Sequence, residues 1–372
     1  MKIVPNSTNE DKKNNSNFKS PTTRFEKIKK FLAKEKEPNY RFDQITRAIF
    51  QDKVGNFKKI TTLSKELREK LAEKFGPLLT IKAIGKAKSK QATKILFKLK
   101  DSERIEAVKM NFINDKRKWN SFCISSQVGC ALGCKFCTTG KIGLKRNLTA
   151  DEIIDQILYF LLQGDKIDSF SFMGMGEPLL NPATFTAISA FIDKSLFNLS
   201  SRKISVSTVG ILPGLEKLIN NFPQINIAFS LHTPFEKQRE ELMPIAKQYS
   251  IEQIMELLDA YIRKNKRKVF LPYLMLKEIN DTPQHLRALE QLILKRKDVA
   301  YLYHVNLIRY HSSPLMGKKF QCSSKKTIDW FKRELEKTRI GVTIRESFGE
   351  DAYAACGQLY AEYKKFVSPA SS

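Results

Sequence analysis

From about residue 121 to 345 the chain alternates between short β-branched or aromatic segments and amphipathic helical ones. SFCISSQ is followed by LTADEIIDQILYFLL, SFSFMG by PATFTAISAFIDK, and KISVST by LPGLEKLIN. INIAFSL then precedes IEQIMELLDAYIRK, KVFLPYLML precedes PQHLRALEQLILKR, YHVNLIR precedes KKTIDWFKRELEKT, and GVTIRE closes the series. This pattern constrains the fold more than any other in the sequence. A strand that returns parallel to its predecessor needs a crossover, and a helix supplies it. Six such units predict an α/β fold with a parallel sheet, closed or partly closed into a barrel. Barrels of this kind place functional groups at the carboxyl ends of their strands, so polar residues at strand ends become the candidates.

Upstream, residues 1–22 are rich in Asn, Ser, Thr and Lys and read as a disordered tail. From Arg24 to about Lys100 the pattern reads as mainly helical, through RFEKIKKFLAKEK, YRFDQITRAIFQ and LSKELREKLAEKFG with its glycine stop. Charge matters here. The chain of 372 residues has 65 Lys plus Arg against 39 Asp plus Glu, a net +26. Residues 1–100 hold 26 of those bases and 10 of the acids, hence +16 of the excess. The stretch IKAIGKAKSKQATKILFKLK (81–100) has seven lysines and no acid. A single charge run is usually a solvated face, but an excess sustained over a hundred residues predicts a basic accessory domain facing nucleic acid. The expected division is a tail over 1–22, an accessory domain over 23–105, a barrel over 106–347 and a second tail over 348–372. The longest compact apolar run, ILYFLL (157–162), is far short of the ~18 residues of a membrane span, and the first twenty residues lack a secretory signal's apolar segment. A soluble, cytoplasmic protein with no membrane partner is expected.

Four of the six cysteines, Cys123, Cys130, Cys134 and Cys137, fall within fifteen residues, and three of these form CALGCKFC directly after the first barrel strand. That clustering does not suit a disulfide framework. Three thiolates on one short loop can ligate three irons of a [4Fe–4S] cluster and leave the fourth iron open. Zinc would normally require a fourth protein ligand, typically from a second paired knuckle, and no such pair follows. Other candidates stand at strand ends: Glu177 with Gly176 in GMGEPL, Ser207 on the third strand, Ser230, Leu231 and His232 after the fourth, and Asn306 on the sixth. Each has an ordinary reading as a loop acid, a core histidine or a sheet-end hydrogen-bonder. Their common location is what singles them out.

The C-x3-C-x2-C spacing resembles the radical S-adenosylmethionine (SAM) superfamily. SFCISSQVGCALGCKFCTTG, GMGEPL, SVSTVG, FSLH, LMPI, HVNLI and AACGQL, in that order, resemble the RlmN/Cfr family of RNA adenosine methyltransferases over residues 38–363. The resemblance implies a partial (βα)6 barrel with an RNA-binding accessory domain, and SAM and a [4Fe–4S] cluster as cofactors. It implies Cys130, Cys134 and Cys137 as cluster ligands and Gly176, Glu177, Ser207, Ser230, Leu231, His232 and Asn306 as SAM contacts. A ring carbon bearing only hydrogen is a poor nucleophile and a very weak acid, so polar methyl transfer has no good route there. In the family a radical route is used: Cys356 in AACGQL corresponds to the methyl-accepting cysteine, Cys123 to the resolving thiol, and Glu106 to the proposed proton acceptor. The resemblance implies that Cys123 and Cys356 approach one another and end each turnover as a disulfide; Cys322 matches no motif.

The implied substrate is an adenosine of 23S rRNA at the peptidyl-transferase centre, with a tRNA adenosine as a further substrate in the RlmN branch, and an electron donor such as flavodoxin. YRFDQITRAIF, SFCISSQ, KIGLKRNLT, LYHVNLIRY and Val209 are closer to the Cfr branch, which methylates carbon 8 and thereby obstructs ribosome-targeting antibiotics. Pro178 is closer to the RlmN branch, which methylates carbon 2. Two rival readings exist. A metal-stabilised RNA-binding protein explains the charge but not the ordered strand-end motifs. Methylthiolation usually employs a second cluster, for which no second cysteine trio is present.

Overall fold

The computed structural model describes residues 22–114, 117–313, 316–317 and 319–345. Three helices come first: α1 (Arg24–Lys34), α2 (Tyr40–Phe50) and α3 (Lys65–Phe75). Thr23 and Glu26 cap α1 reciprocally, each side chain accepting from the other's backbone N–H. Phe25, Ile28 and Leu32 of α1, Ile45 and Ile49 of α2 and Leu67 and Leu71 of α3 are buried, as helical spacing requires.

The next segment departs from the helical expectation. Residues 82–98 form a hairpin of β1 (Lys82–Lys88) and β2 (Ala92–Lys98), followed by β3 (Arg104–Asn114) and β4 (Arg117–Ile124) in an antiparallel meander. The reason was present in the lysines. All seven in 81–100 stand at even positions, the period of a strand rather than of a helix. Six of them are exposed, and Lys94 is buried. The boundary expected at residue 105 therefore falls inside one continuous sheet, where Leu96 of β2 pairs with Glu106 of β3.

From β4 onward every neighbour in that sheet is parallel. The strands are β7 (Ser169–Phe172), β8 (Ile204–Thr208), β9 (Asn226–Phe229), β10 (Val269–Met275), β11 (Tyr303–Arg309) and β12 (Gly341–Arg345). Among the described residues the sheet has ten strands in the order β1-β2-β3-β4-β7-β8-β9-β10-β11-β12, with β1 and β12 at its two edges, as in a partial barrel. The crossovers are α5 (Ala150–Leu162), α6 (Pro182–Ile192), α7 (Leu212–Asn221), α8 (Glu236–Leu242) with α9 (Ile251–Asn265), α10 (Pro283–Leu294) and α11 (Lys325–Lys337). A small ribbon of β5 (Gln127–Gly129) and β6 (Leu144–Asn147), with α4 (Thr138–Ile142) between them, frames the cysteine loop. Side chains alternate between two layers. Phe122 meets Phe160 of α5 and Phe170 meets Phe191 of α6, so both point at the helices and turn Cys123 and Ser171 to the lumen. Among the described residues no helix is long and apolar enough to cross a membrane.

The helical unit is fastened to the barrel by a buried charge pair. Arg24 Nη2 donates to both oxygens of Asp155 on α5, at 2.7 and 2.6 Å, and Thr80 gives the same carboxylate its backbone N–H and its hydroxyl.

Candidate active site

The cysteine loop is shaped by backbone before its sulfurs matter. Gly129, at φ +79°, packs so close to Gly143 that an added Cβ would stand 1.8 Å from the Gly143 carbonyl oxygen. The loop then closes through Cys130 N–H to Gly143 O, Cys137 N–H to Cys134 O, and Lys135 N–H to Leu242 O. Thr138, next to Cys137, bonds Ser313 beyond β11 at 2.6 Å, tying the loop across to the far side of the barrel. Phe136 stands edge-on to His232 at 5.1 Å and belongs to an apolar group with Leu242, Met243, Leu274, Ile308, Tyr310 and Phe320.

Cys130, Cys134 and Cys137 line one cavity of about 190 Å³ together with Gly176, Glu177, Ser207, Ser230 and His232. Glu177 is buried. One carboxylate oxygen accepts from Leu179 N–H and the other from Val209 N–H, and its own N–H donates to Gln127 of β5. Burial pushes its pKa up to about 7, against the hydrogen bonds from Thr208, Val209 and Leu179. Gly176 (φ +95°) lets that turn pass Gln127, whose Cβ would lie 2.5 Å from an added methyl. Ser207 and Ser230 join their hydroxyls at 3.3 Å.

His232 has a left-handed backbone (φ 61°), and its Nδ1 accepts from Leu274 N–H. Burial first, then the charge of Arg239, drives its pKa down to about 3. The neutral ring therefore keeps its proton on Nε2, a donor. Arg239 itself is fully buried and donates to the carbonyls of Leu231, Val209 and Ser230. It ties together the ends of β8 and β9, and burial lowers its pKa to about 10.

The other expected residues sit around this cavity rather than on its wall. Leu231 is buried behind it. Asn306 stands two residues before the lining Ile308 on β11 and accepts from Thr343. Cys123 is a buried thiol on β4, in register with Ser171 and Val108. Glu106 is buried on β3 and paired with buried Lys94 at 3.4 Å, where an amphipathic strand would ordinarily leave a surface acid. Cys356 lies outside the described residues. Sequence reasoning missed Tyr310, Arg345 and Arg239. Arg345 ends β12, lines the cavity and donates to the Met173 sulfur at 3.0 Å. A polar residue closing the last strand was the signal that could have found it.

The thiols fit an iron–sulfur group by their chemistry. Burial pushes Cys130 up to about 12, with the Cys137 charge adding to it, and Cys134 is also raised, by burial and by both neighbouring thiols. Three thiolates in such a place need a cationic centre among them. Cys130, Cys134 and Cys137 line one cavity, so three thiolates of one loop would be available to hold such a group there.

Residues 124–289 match the Radical SAM superfamily, and residues 23–76 match the ribosomal RNA large subunit methyltransferase N-terminal domain. The chain is 48% identical over 343 residues to the ribosomal RNA large subunit methyltransferase Cfr of Shouchella clausii, covering 92% of this chain and 97% of that one. It is 46% identical to the Cfr of Staphylococcus aureus, with 92% and 97% covered. The crystal structure of a radical SAM methyltransferase from Sphaerobacter thermophilus superposes with a TM-score of 0.83 at 33% identity, covering 91% of this chain and 98% of that one. With its cysteine loop at a barrel mouth and its basic helical unit clamped alongside, the chain belongs to the Cfr family of ribosomal RNA large subunit methyltransferases, within the radical SAM superfamily.

Proposed function

We propose that this enzyme methylates carbon 8 of an adenosine in 23S rRNA at the peptidyl-transferase centre. It would draw on SAM, on a [4Fe–4S] cluster held by Cys130, Cys134 and Cys137, on Cys356 to carry the methyl group and on Cys123 to resolve the thioether formed with the base. The observation that supports this reading most is the single cavity in which three thiols, two of them with raised pKa values, face a buried, underneutralised carboxylate. When bound, the cluster supplies one electron to the sulfonium of SAM.

The protein's own groups do the rest by binding and orientation. Among the described residues the buried Glu177 carboxylate is met by the Leu179 and Val209 amides and by Thr208 and by no cation, so an incoming ammonium offsets the cost of its burial. His232 offers Nε2–H as a neutral donor, and the Ser207 and Ser230 hydroxyls can each give or accept. Cys123 faces the lumen two residues before Ser125, whose hydroxyl donates to the Glu106 carbonyl. A thiol there would be in place to attack the sulfur of the C-terminal cysteine that carries the base, forming the disulfide as the sulfur–methylene bond breaks and the freed carbon takes a proton to become the methyl, with Glu106 placed to receive the proton lost from the ring carbon. Lys94 Nζ stands 3.4 Å from that carboxylate.

Carbon 8 is favoured by the 46–48% identity to Cfr-named enzymes and by Val209. Pro178, the feature nearer the carbon-2 branch, has a local reason. It opens the 3₁₀ turn after Glu177, where a missing N–H costs nothing. The deciding experiment is mass spectrometry of a peptidyl-transferase-centre RNA fragment after anaerobic reaction. Retention with 8-methyladenosine is expected, and 2-methyladenosine overturns the regiochemistry. Cys356→Ala should assemble the cluster yet not methylate, and Cys123→Ala should accumulate protein crosslinked to RNA. Normal turnover by Cys123→Ala would remove the relay.

A further inference from the structure

Tyr310 follows β11 and is only 5% exposed. It lines the same cavity as the three cysteines and packs in the apolar group of Phe136, Met243, Leu274, Ile308 and Phe320, edge-on to the last ring at 6.1 Å. Its hydroxyl oxygen is buried and has no hydrogen-bond partner among the described residues. A phenylalanine would fill this apolar niche without burying a hydroxyl, so the oxygen calls for a partner that arrives later.

The neighbourhood narrows what that partner is. His232 uses Nδ1 as acceptor already and presents a donor on Nε2. The Met173 sulfur takes its bond from Arg345, Ser207 and Ser230 bond each other, and Glu177 holds amides at both oxygens. On the other side, the loop beyond Tyr310 is pinned to the residue after Cys137 by the Ser313–Thr138 bond. Cys134 and Cys137 pack against the same apolar group that holds the Tyr310 ring.

We infer that the Tyr310 hydroxyl donates a hydrogen bond to the sulfur of the iron–sulfur group at its Cys137 corner and thereby raises that group's reduction potential. The inference rests on the reading of Cys130, Cys134 and Cys137 as cluster ligands. A donor on a ligand or bridging sulfur withdraws electron density and favours the reduced, more negative state. Removing the donor lowers the potential and makes the electron harder to load. Tyr310 is thus a cluster-tuning residue, distinct from those that would hold SAM.

The test uses full-length protein loaded with iron and sulfide anaerobically, and reads iron and acid-labile sulfide content together with the midpoint potential in the absence of SAM. Tyr310→Phe should load iron and sulfide as fully as the wild type and show a more negative potential. Trifluorotyrosine installed at position 310, a stronger donor, should move the potential the other way, which keeps the test open even where the phenylalanine variant misfolds. Potentials equal to wild type in both proteins overturn the inference. So does a phenylalanine variant altered only in SAM affinity, because the hydroxyl would then serve SAM. If the wild type itself takes up zinc rather than iron and sulfide, the cluster reading fails first and is seen to fail separately.

Discussion

Replacing Asp155 by alanine should loosen the helical unit from the barrel while leaving the barrel folded. Asp155 is completely buried on α5 and receives four hydrogen bonds, two from one Arg24 nitrogen and two from Thr80, at 2.6–2.7 Å. Without it, the Arg24 guanidinium stays in a site where, among the described residues, its Nε and Nη1 already lack hydrogen-bond partners, with Asp151 3.7 Å from its Nε. Breaking one side of a buried ion pair costs about 3–5 kcal/mol. At ~1.4 kcal/mol per factor of ten, that is roughly a hundredfold or more in the docking equilibrium. The apolar contacts that remain, Phe25 on Phe50 and Phe50 on Phe197, are untouched.

Anaerobic hydrogen–deuterium exchange reads this opening directly. Amides of α1 and of the 77–81 connection should exchange ~100-fold faster or more, while those of β7 to β10 should keep their protection. RNA affinity should fall in parallel, since the basic unit would no longer be held in one orientation. The double variant Arg24→Met with Asp155→Leu should recover most of the protection, because neither charge is left buried alone. Unchanged exchange in α1 of Asp155→Ala, or a double variant as open as the single one, would refute the clamp.

His232→Asn should flatten the acid limb of the stability curve. The folded imidazole, held near 3, refuses the proton that the unfolded chain accepts near 6.5, so the wild type becomes less stable by about 1.4 kcal/mol per pH unit as pH falls below about 6.5. Asparagine tolerates the left-handed backbone there and does not titrate; urea unfolding from pH 7.5 to 5.5 compares the two, at values chosen around that ~6.5 midpoint. Gly129→Ala should prevent iron and sulfide loading with the barrel's circular dichroism intact, since its methyl collides with backbone at Gly143 rather than with a movable side chain. Replacing the six exposed lysines of 81–100 with serine should weaken RNA binding and reduce the salt slope by about 0.7–0.9 for each phosphate no longer neutralised, whereas Lys94→Met should leave that slope unchanged because it is buried.

The parts of this molecule legible in its sequence are those where one local rule acts alone. The barrel's strands and crossovers follow from alternation of periods two and 3.6, and the cysteine loop from spacing. Where two rules competed, composition misled. Seven lysines without an acid suggest a solvated helical face, yet their even spacing put 82–98 into a hairpin whose buried face carries Lys94 toward Glu106. Glu106 reads as a surface acid for the same reason, because its partner comes from the neighbouring strand, twelve residues away.

Tyr310 and Arg239 were beyond reach for a different cause. Each acquires meaning only from what surrounds it in space, and nothing adjacent in the chain marks it, whereas Arg345 at least closes a strand. Arg239 sits in a short helix of mostly charged residues, EKQREEL, where an exposed arginine is the natural expectation. Its burial follows from the barrel's geometry. The ends of β8 and β9 turn the carbonyls of Val209, Ser230 and Leu231 toward the mouth, and a guanidinium is the side chain with donors enough to meet all three. The same demand explains why the cavity's few charged groups come from turns, short helices and strand ends. Strand interiors are occupied by pairing and packing, so groups that must face an incoming ligand are recruited where the ladder stops.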